Sequence, residues 1–275
     1  MRINSSMMIQ QASQSGLVQK SLAKVLEKLS TGKQINTASD DAAGLAVAKR
    51  LEAMTRGYKS AGENIGDALS ALNIADGGSS GISDILQRQR ELATQASSDT
   101  LTSQDRQALD SEYQQLNQEL SRTSDSTQYN TMDLLNGKSP LSDGTGKFQV
   151  GPSGGSSDQI SAPNMDLSAA SIGAGGSIAT AAGAKSALST VSAALDKVSG
   201  SRAQIGALSN RLEHASNLNA TAEINTTEAQ SRLEDLDYAQ ASMDLARNDL
   251  LSQTSISASQ HFNQISKNTV LGLLQ

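Results

Sequence analysis

The apolar residues of this 275-residue chain recur at helical spacing toward both ends and lose that rhythm in the middle. Leu22, Val25, Leu26 and Leu29 share one face, which predicts a helix from about Ile3 to Leu29. The segment STGKQINTAS (30–39) interrupts it. The pattern resumes near Asp41, and Ile65, Leu69, Leu72, Ile82 and Leu86 mark the apolar side of a helix reaching about Ser97. Gly57, Gly62, Gly66 and DGGSSG (76–81) lie inside that helix at a cost of about 1 kcal/mol each relative to Ala, which reads as room for a neighbouring helix. The next helix is expected near Thr102 with Ser103 as its cap, continuing through Leu109, Leu116 and Leu120. In the C-terminal arm Leu188 and Leu195 define one heptad series, continued by the polar Arg202 and Ser209. Val191, Val198, Ile205 and Leu212 define the other, which predicts coiled-coil-like packing. Beyond Ala215 the stripe fades. After EDLDYA (234–239) a last helix carries Met243, Ala246 and Leu250 and ends in TVLGLLQ.

Breakers are confined to the centre. Pro140, Pro152 and Pro163 are the three prolines, and ten of the 22 glycines lie between Gly137 and Gly183. Within this zone Phe148 and Val150 alternate with Gln149, a Gly/Pro/Ser turn follows, and Ile160 begins a return, predicting a hairpin within about 140–168. The expected fold is mainly α: a long-helix, coiled-coil-like bundle built from both chain ends, with a small β-hairpin region in the middle.

Composition narrows the function. Six aromatics, no Trp and no Cys leave little for a broad core, so thin seams between long helices carry the packing. Disulfides and thiolate metal sites are excluded, and His214 and His261 stand far apart in sequence. There is no apolar run of about 18 residues and no signal-peptide core. The net charge of −6 argues against nucleic acid. Residues 1–60 hold nine Lys/Arg and four Asp/Glu, whereas 231–250 hold five acids and two bases, which reads first as solvated helix faces and, more sharply, as two ends that attract each other. Gly32-Lys33 lacks the Ser/Thr and the preceding strand of a phosphate loop. Asp40 and Asp41 are adjacent and do not face one metal; at a helix start, Ser39 or Asp40 caps the free N–H groups and both acids favour the dipole. No catalytic constellation, metal site or cofactor site emerges.

The segments KLSTGKQINTASDDAAGLAVAKR (28–50), LQRQRELATQAS (86–97), STQYNTMDLLNG (126–137), FQVG (148–151), RLEDLDYA (232–239) and NTVLGLLQ (268–275) together resemble bacterial flagellin. The opening MRINSSMMIQQAS departs from the usual Asn-rich start. The resemblance implies an inner core of paired terminal helices (1–40 and 235–275), a helical bundle with hairpin (41–234), and no separate outer domain. It implies a helical homopolymer in the extracellular flagellar filament, exported by the flagellar type III route without a cleaved signal. Implied partners are further copies of the chain, an export chaperone, the filament cap and hook–filament junction proteins. Leu22, Val25, Leu26, Leu29, Met243, Ala246, Leu250, Val270, Leu271, Leu273 and Leu274 are the expected polymerisation seam. The resemblance also implies Toll-like receptor 5 as a partner, through Leu86, Gln87, Arg88, Glu91, Leu92, Gln95 and Glu112, with Gln89 standing where valine is common. A hook–filament junction protein shares similar terminal helices, but the LQRQRELATQAS and DLDYA matches favour flagellin. A cytoplasmic helical signalling module is disfavoured by the Pro/Gly zone, and an enzyme by the missing acid–base cluster.

Overall fold

The computed structural model describes residues 2–273, with side chains described from 9 to 265 and at 267. The described elements are α1 (Arg2–Thr31), α2 (Ala42–Ala96), α3 (Ser103–Ser126), β1 (Gln128–Tyr129), β2 (Met132–Asp133), α4 (Pro140–Asp143), β3 (Lys147–Gln149), β4 (Gln159–Ser161), α5 (Ala169–Ile172), α6 (Ala181–Glu234) and α7 (Tyr238–Leu273). They form two compact units, Met1–Ala53 with Asn225–Gln275, and Met54–Ile224.

The Met54–Ile224 unit is built on two long seams. Along α2 one track of buried positions runs through Ala61, Ile65, Ala68, Leu72, Ala75, Ser79, Ile82, Leu86, Gln89, Ala93 and Ala96, alternating four and three residues, with Ala71 and Leu92 buried beside it. Along α6 a matching track runs through Ala184, Ala187, Val191, Ala194, Val198, Ser201, Ile205, Leu208 and Leu212 with the same alternation, and Asn219 is buried one heptad further on. This is the 3.5-residue period that keeps one stripe facing its neighbours. The expected series Val191, Val198, Ile205 and Leu212 is fully buried. The expected partner series is corrected: Leu188 and Leu195 are half-buried flanks, and the seam runs one residue earlier through Ala187, Ala194, Ser201 and Leu208. Small residues occupy the inner positions and the larger leucines cover the edge.

Helix α3 adds Tyr113, Leu120 and Ser124 to this core, and the irregular centre plugs it with Leu134, Leu135, Met165, Leu167, Ile172 and Ile178. The cap of α3 is Thr102, not Ser103. Thr102 Oγ1 accepts from the Asp105 N–H, and the Asp105 carboxylate accepts from the Thr102 N–H at 3.0 Å, a closed capping box.

Two antiparallel hairpins follow. Lys147–Gln149 pairs with Gln159–Ser161, setting Phe148 opposite Ile160. Of the 140–168 stretch only these residues are strand, and residues 140–143 are a helical turn. The other hairpin, β1–β2, went unread in the sequence because its strands have two residues each. Its turn residues Asn130 and Thr131 both have positive φ, 47° and 64°. Asn tolerates this region, but a β-branched Thr is strained there. The α2 glycines also differ from expectation. Gly57 admits the hairpin residue Pro152 rather than a helix, since a Cβ there would stand 2.6 Å from Pro152 Cβ, while Gly62 and Gly66 face open space.

Leu72→Ala, at the middle of the α2 seam, is expected to cost about 2–5 kcal/mol of stability. Thr131→Gly is expected to add about 0.5–1 kcal/mol by relieving the left-handed backbone. Urea titration followed by circular dichroism measures both.

Candidate assembly and recognition surfaces

Helix α1 ends where Gly32, at φ +69°, returns its N–H to the Lys28 carbonyl at 2.9 Å. A side chain at Gly32 would be strained there and would also stand 3.1 Å from the Tyr238 hydroxyl. The chain then runs antiparallel to the segment entering α7. Gln34 N donates to the Glu234 carbonyl at 2.6 Å, Leu236 N donates to the Gly32 carbonyl at 3.0 Å, and Lys33 bridges Asp235. Lys33 Nζ lies 3.0 Å from Glu234 Oε2, and Gln230 Nε2 donates to that oxygen at 3.0 Å. Glu234 is buried; these bonds, Gln230 foremost and Lys33 after it, hold its carboxyl below the usual carboxylate range. A base of the N-terminal arm thus meets an acid of the C-terminal arm at this pair, the sharper of the two readings of the charge pattern.

The acid pair divides its work. Asp40 Oδ1 lies 2.5 Å from Lys24 Nζ, and Oδ2 accepts from the N–H groups of Thr37 and Asn36 at 3.0 and 3.2 Å. The Lys24 bond, then the Thr37 N–H, hold its carboxyl well below the ordinary value. Asp40 therefore closes the turn before α2. The helix start is corrected accordingly: Asp41 is the cap, with Oδ1 accepting from Gly44 N at 2.9 Å, while the Ser39 hydroxyl shares a hydrogen bond with Thr37 Oγ1. Because α2 begins at Ala42, the cap falls on the residue just before it and not on Ser39 or Asp40.

Helices α1 and α7 run antiparallel in close contact. Gln11 Nε2 donates to the Ser255 carbonyl at 3.5 Å, and Ser21 Oγ donates to Asn248 Oδ1 at 3.2 Å. The half-buried residues of α7 are mostly small or polar: Asp244, Asn248, Ser252, Ser255 and Ser259, with Leu245 and Phe262. Those of α1 include Gln11, Ser15, Val18, Leu22, Val25 and Leu29. Many large apolar residues point the other way: Met243 is 61% exposed, Leu250 62%, and Ile9, Leu17, Leu26, Leu251, Ile256 and Ile265 are exposed with them. Of the expected seam, Leu26, Met243, Ala246 and Leu250 are exposed, whereas Leu22, Val25 and Leu29 lie half-buried in this helix pair. The side chains of Val270, Leu271 and Leu273, and all of Leu274, lie outside the described residues.

The expected receptor residues separate by exposure. Leu86 is buried in the α2 seam and Leu92 beside it, so both are corrected from contact residues to core residues. Gln87, Arg88, Glu91 and Gln95 are exposed on α2. Arg88 donates to Glu112 of α3 through Nε at 2.9 Å and Nη2 at 2.7 Å, and to Glu91 through Nη1 at 3.0 Å. One ionic patch thus brings Arg88, Glu91 and Glu112 together.

The family model for the bacterial flagellin N-terminal helical region matches residues 3–139, and that for the C-terminal helical region matches residues 188–274. The chain belongs to the bacterial flagellin family. It is 40% identical over 234 residues to a flagellin of Halalkalibacterium halodurans, covering 84% of each chain. It is 35% identical to a flagellin of Bacillus subtilis, covering 92% of each. A flagellar filament core protein of Brachyspira hyodysenteriae is 34% identical over 86% of each. Among solved structures, Bacillus cereus flagellin aligns with TM-score 0.50 and 30% identity, over 57% of this chain and 88% of that one. Flagellins are structural filament proteins, not enzymes. Among the described residues no helix is long and apolar enough to cross a membrane, and no group of three His, Cys, Asp or Glu is placed to hold a metal.

A group whose carboxyl is held low in the fold contributes stability that is present above its unfolded pKa and disappears as pH falls through the folded one. For Asp40 and Glu234 that window lies below about pH 4. The Asp40→Asn/Glu234→Gln variant is therefore expected to be less stable at pH 7 and to lose less of its remaining stability on acidification. Circular dichroism against temperature at stepped pH checks this.

Proposed function

We propose that this flagellin is a self-assembling subunit of the extracellular flagellar filament that serves motility, with the terminal helices forming its inner polymer contacts. The single observation behind this reading is the reversed polarity of the α1/α7 pair. The intrachain seam sets Val18, Leu22, Val25 and Leu29 of α1 largely against small and polar residues of α7, while Met243, Leu250, Leu251, Ile256, Leu17 and Leu26 face solvent. Neighbouring copies supply the missing apolar cover, and head-to-tail contacts that do not close on themselves generate a helical filament. The same surface needs cover before assembly, which suits an export chaperone, and its repetition at the filament ends suits a cap and hook–filament junction proteins. Export by the flagellar type III route fits this reading, which membership of the flagellin family supports. Lys24 and Lys28 line a groove with Asp237 and Asp244 on this unit, a charge arrangement that favours ordered pairing. Met243→Asp and Leu250→Asp are each expected to lower filament yield by about tenfold or more, because a carboxylate would be buried at the contact. The thermal unfolding of the monomer is expected to stay unchanged, since both positions are solvent-exposed. Electron microscopy and sedimentation score the yield; normal filaments from both variants would remove this face from assembly.

A second reading, recognition by Toll-like receptor 5, is favoured by the exposed Gln87, Arg88, Glu91 and Gln95 on α2 beside the half-buried Glu112 on α3. The ion pairs preset the Arg88 side chain, which lowers the ordering cost of binding. Arg88→Ala is expected to raise the monomer concentration needed for receptor signalling by about tenfold, the effect of losing one anchoring residue. Equal dose–response curves on reporter cells would exclude it from the site.

A further inference from the structure

The α2 seam contains two buried polar side chains, Ser79 and Gln89. Ser79 satisfies itself, donating to the Ala75 carbonyl at 2.7 Å. Gln89 reaches outward. Its Nε2 donates to Asn117 Oδ1 on α3 at 2.8 Å, and Asn117 Nδ2 donates to Gln114 Oε1 at 3.5 Å. Gln114 Nε2 donates to the Gly176 carbonyl at 2.7 Å and to Asp110 Oδ1 at 3.4 Å, and that Asp110 oxygen accepts from Ile178 N at 2.7 Å. A continuous line of hydrogen bonds thus runs from the inside of α2, across α3, to the backbone that leads into α6.

The relay is incompletely satisfied. Gln89 Oε1 is buried without a hydrogen-bond partner, and a buried polar group left unpaired is costly. The apolar seam by itself does not fix where α6 lies. Val191, Val198, Ile205 and Leu212 are equally spaced and alike, so a slide by one heptad, about 10 Å along the axis, keeps apolar residues against apolar residues. Of the long-range side-chain bonds made by α6 within the Met54–Ile224 unit, the Arg202–Asp76 ion pair at 2.8 Å is half-exposed on both sides and weak for that reason, the Lys197 Nζ bond to the Ser171 carbonyl at 2.6 Å is exposed, and the Asn219 Nδ2 bond to the Val150 carbonyl at 2.6 Å holds the helix only beyond the end of its apolar stripe. The hydrogen bonds on Gly176 and Ile178, by contrast, hold the chain a few residues before α6 begins at Ala181. A polar residue at a seam position is an established way of trading stability for register.

We propose that the Gln89–Asn117–Gln114 relay, with Asp110, is a register lock: it clamps the segment entering α6 and thereby sets the alignment of α6 along the bundle. The parent chain contains no Cys, so spin labels placed through Arg90→Cys and Ser186→Cys report that alignment. Both positions are exposed, on α2 and α6. In the full-length monomer one interlabel distance is expected. Adding Gln89→Val/Asn117→Leu is expected to keep the urea midpoint at or above that of the parent. A second distance population should appear, displaced by about one heptad, and exchange of the Ile178 amide should accelerate about tenfold. Asp110→Ala/Gln114→Ala, which removes the clamp itself, should also produce the second population. A single unchanged distance in both variants overturns the proposal. So does a lowered urea midpoint in the apolar variant, including failure to fold, because the relay would then be an ordinary stabilising contact.

Discussion

The pairing of α1 with α7 rests on Ser21, Asn248, Ser252 and Ser255, with Leu and Val residues of α1 laid against them, while Met243, Leu250, Leu251 and Ile256 stand in solvent. A helix pair of this kind buries little apolar area for the ordering it demands. Such helices depend on outside surface for most of their stability, since propensity alone sustains long helices poorly in water. Everything proposed about assembly follows from that imbalance. The Lys33–Glu234 pair and the short backbone bridge beside it then act as a local clasp that holds the two arms together at one end of the helix pair.

The Met54–Ile224 unit obeys the opposite rule. Its helices turn their small and apolar residues inward with a sustained four–three alternation, and the irregular centre contributes apolar plugs such as Met165, Leu167 and Ile178. Without tryptophan and with few other aromatics, it gains cohesion from length: many modest contacts repeated over long seams. One chain therefore combines a self-sufficient bundle with a terminal pair whose apolar faces remain uncovered. That division suits a filament protein that is stable as a subunit and completed by its neighbours.

Much of this was legible in the sequence, because large apolar residues at helical spacing mark α1, α2, α3 and the heptads of α6. The errors have physical causes. Counting large hydrophobes favoured Leu188 and Leu195, whereas the inner track uses Ala187 and Ala194, which only the continuous alternation of buried positions reveals. Asp41 takes the cap because Asp40 is already committed to the turn and to Lys24, a long-range partner that no local pattern announces. Thr102 caps α3 because Asp105 answers it three residues later, a signal that was available in the sequence. Leu86 and Leu92 fell in with their exposed neighbours because a motif lists consecutive residues, while a helix presents only some of them on one face. The joint between TGKQ and EDLD, about 200 residues apart in the chain, was anticipated only as a charge imbalance between the ends.

The central claim is that α1 and α7 complete their packing with other subunits. Amide hydrogen exchange compared between free monomers and assembled filaments tests it most directly. The account predicts rapid exchange over residues 2–35 and 240–273 in the monomer, strong protection of the same residues in the filament, and seam amides of α2 and α6 protected in both states. Terminal helices equally protected in the monomer and the filament would contradict it.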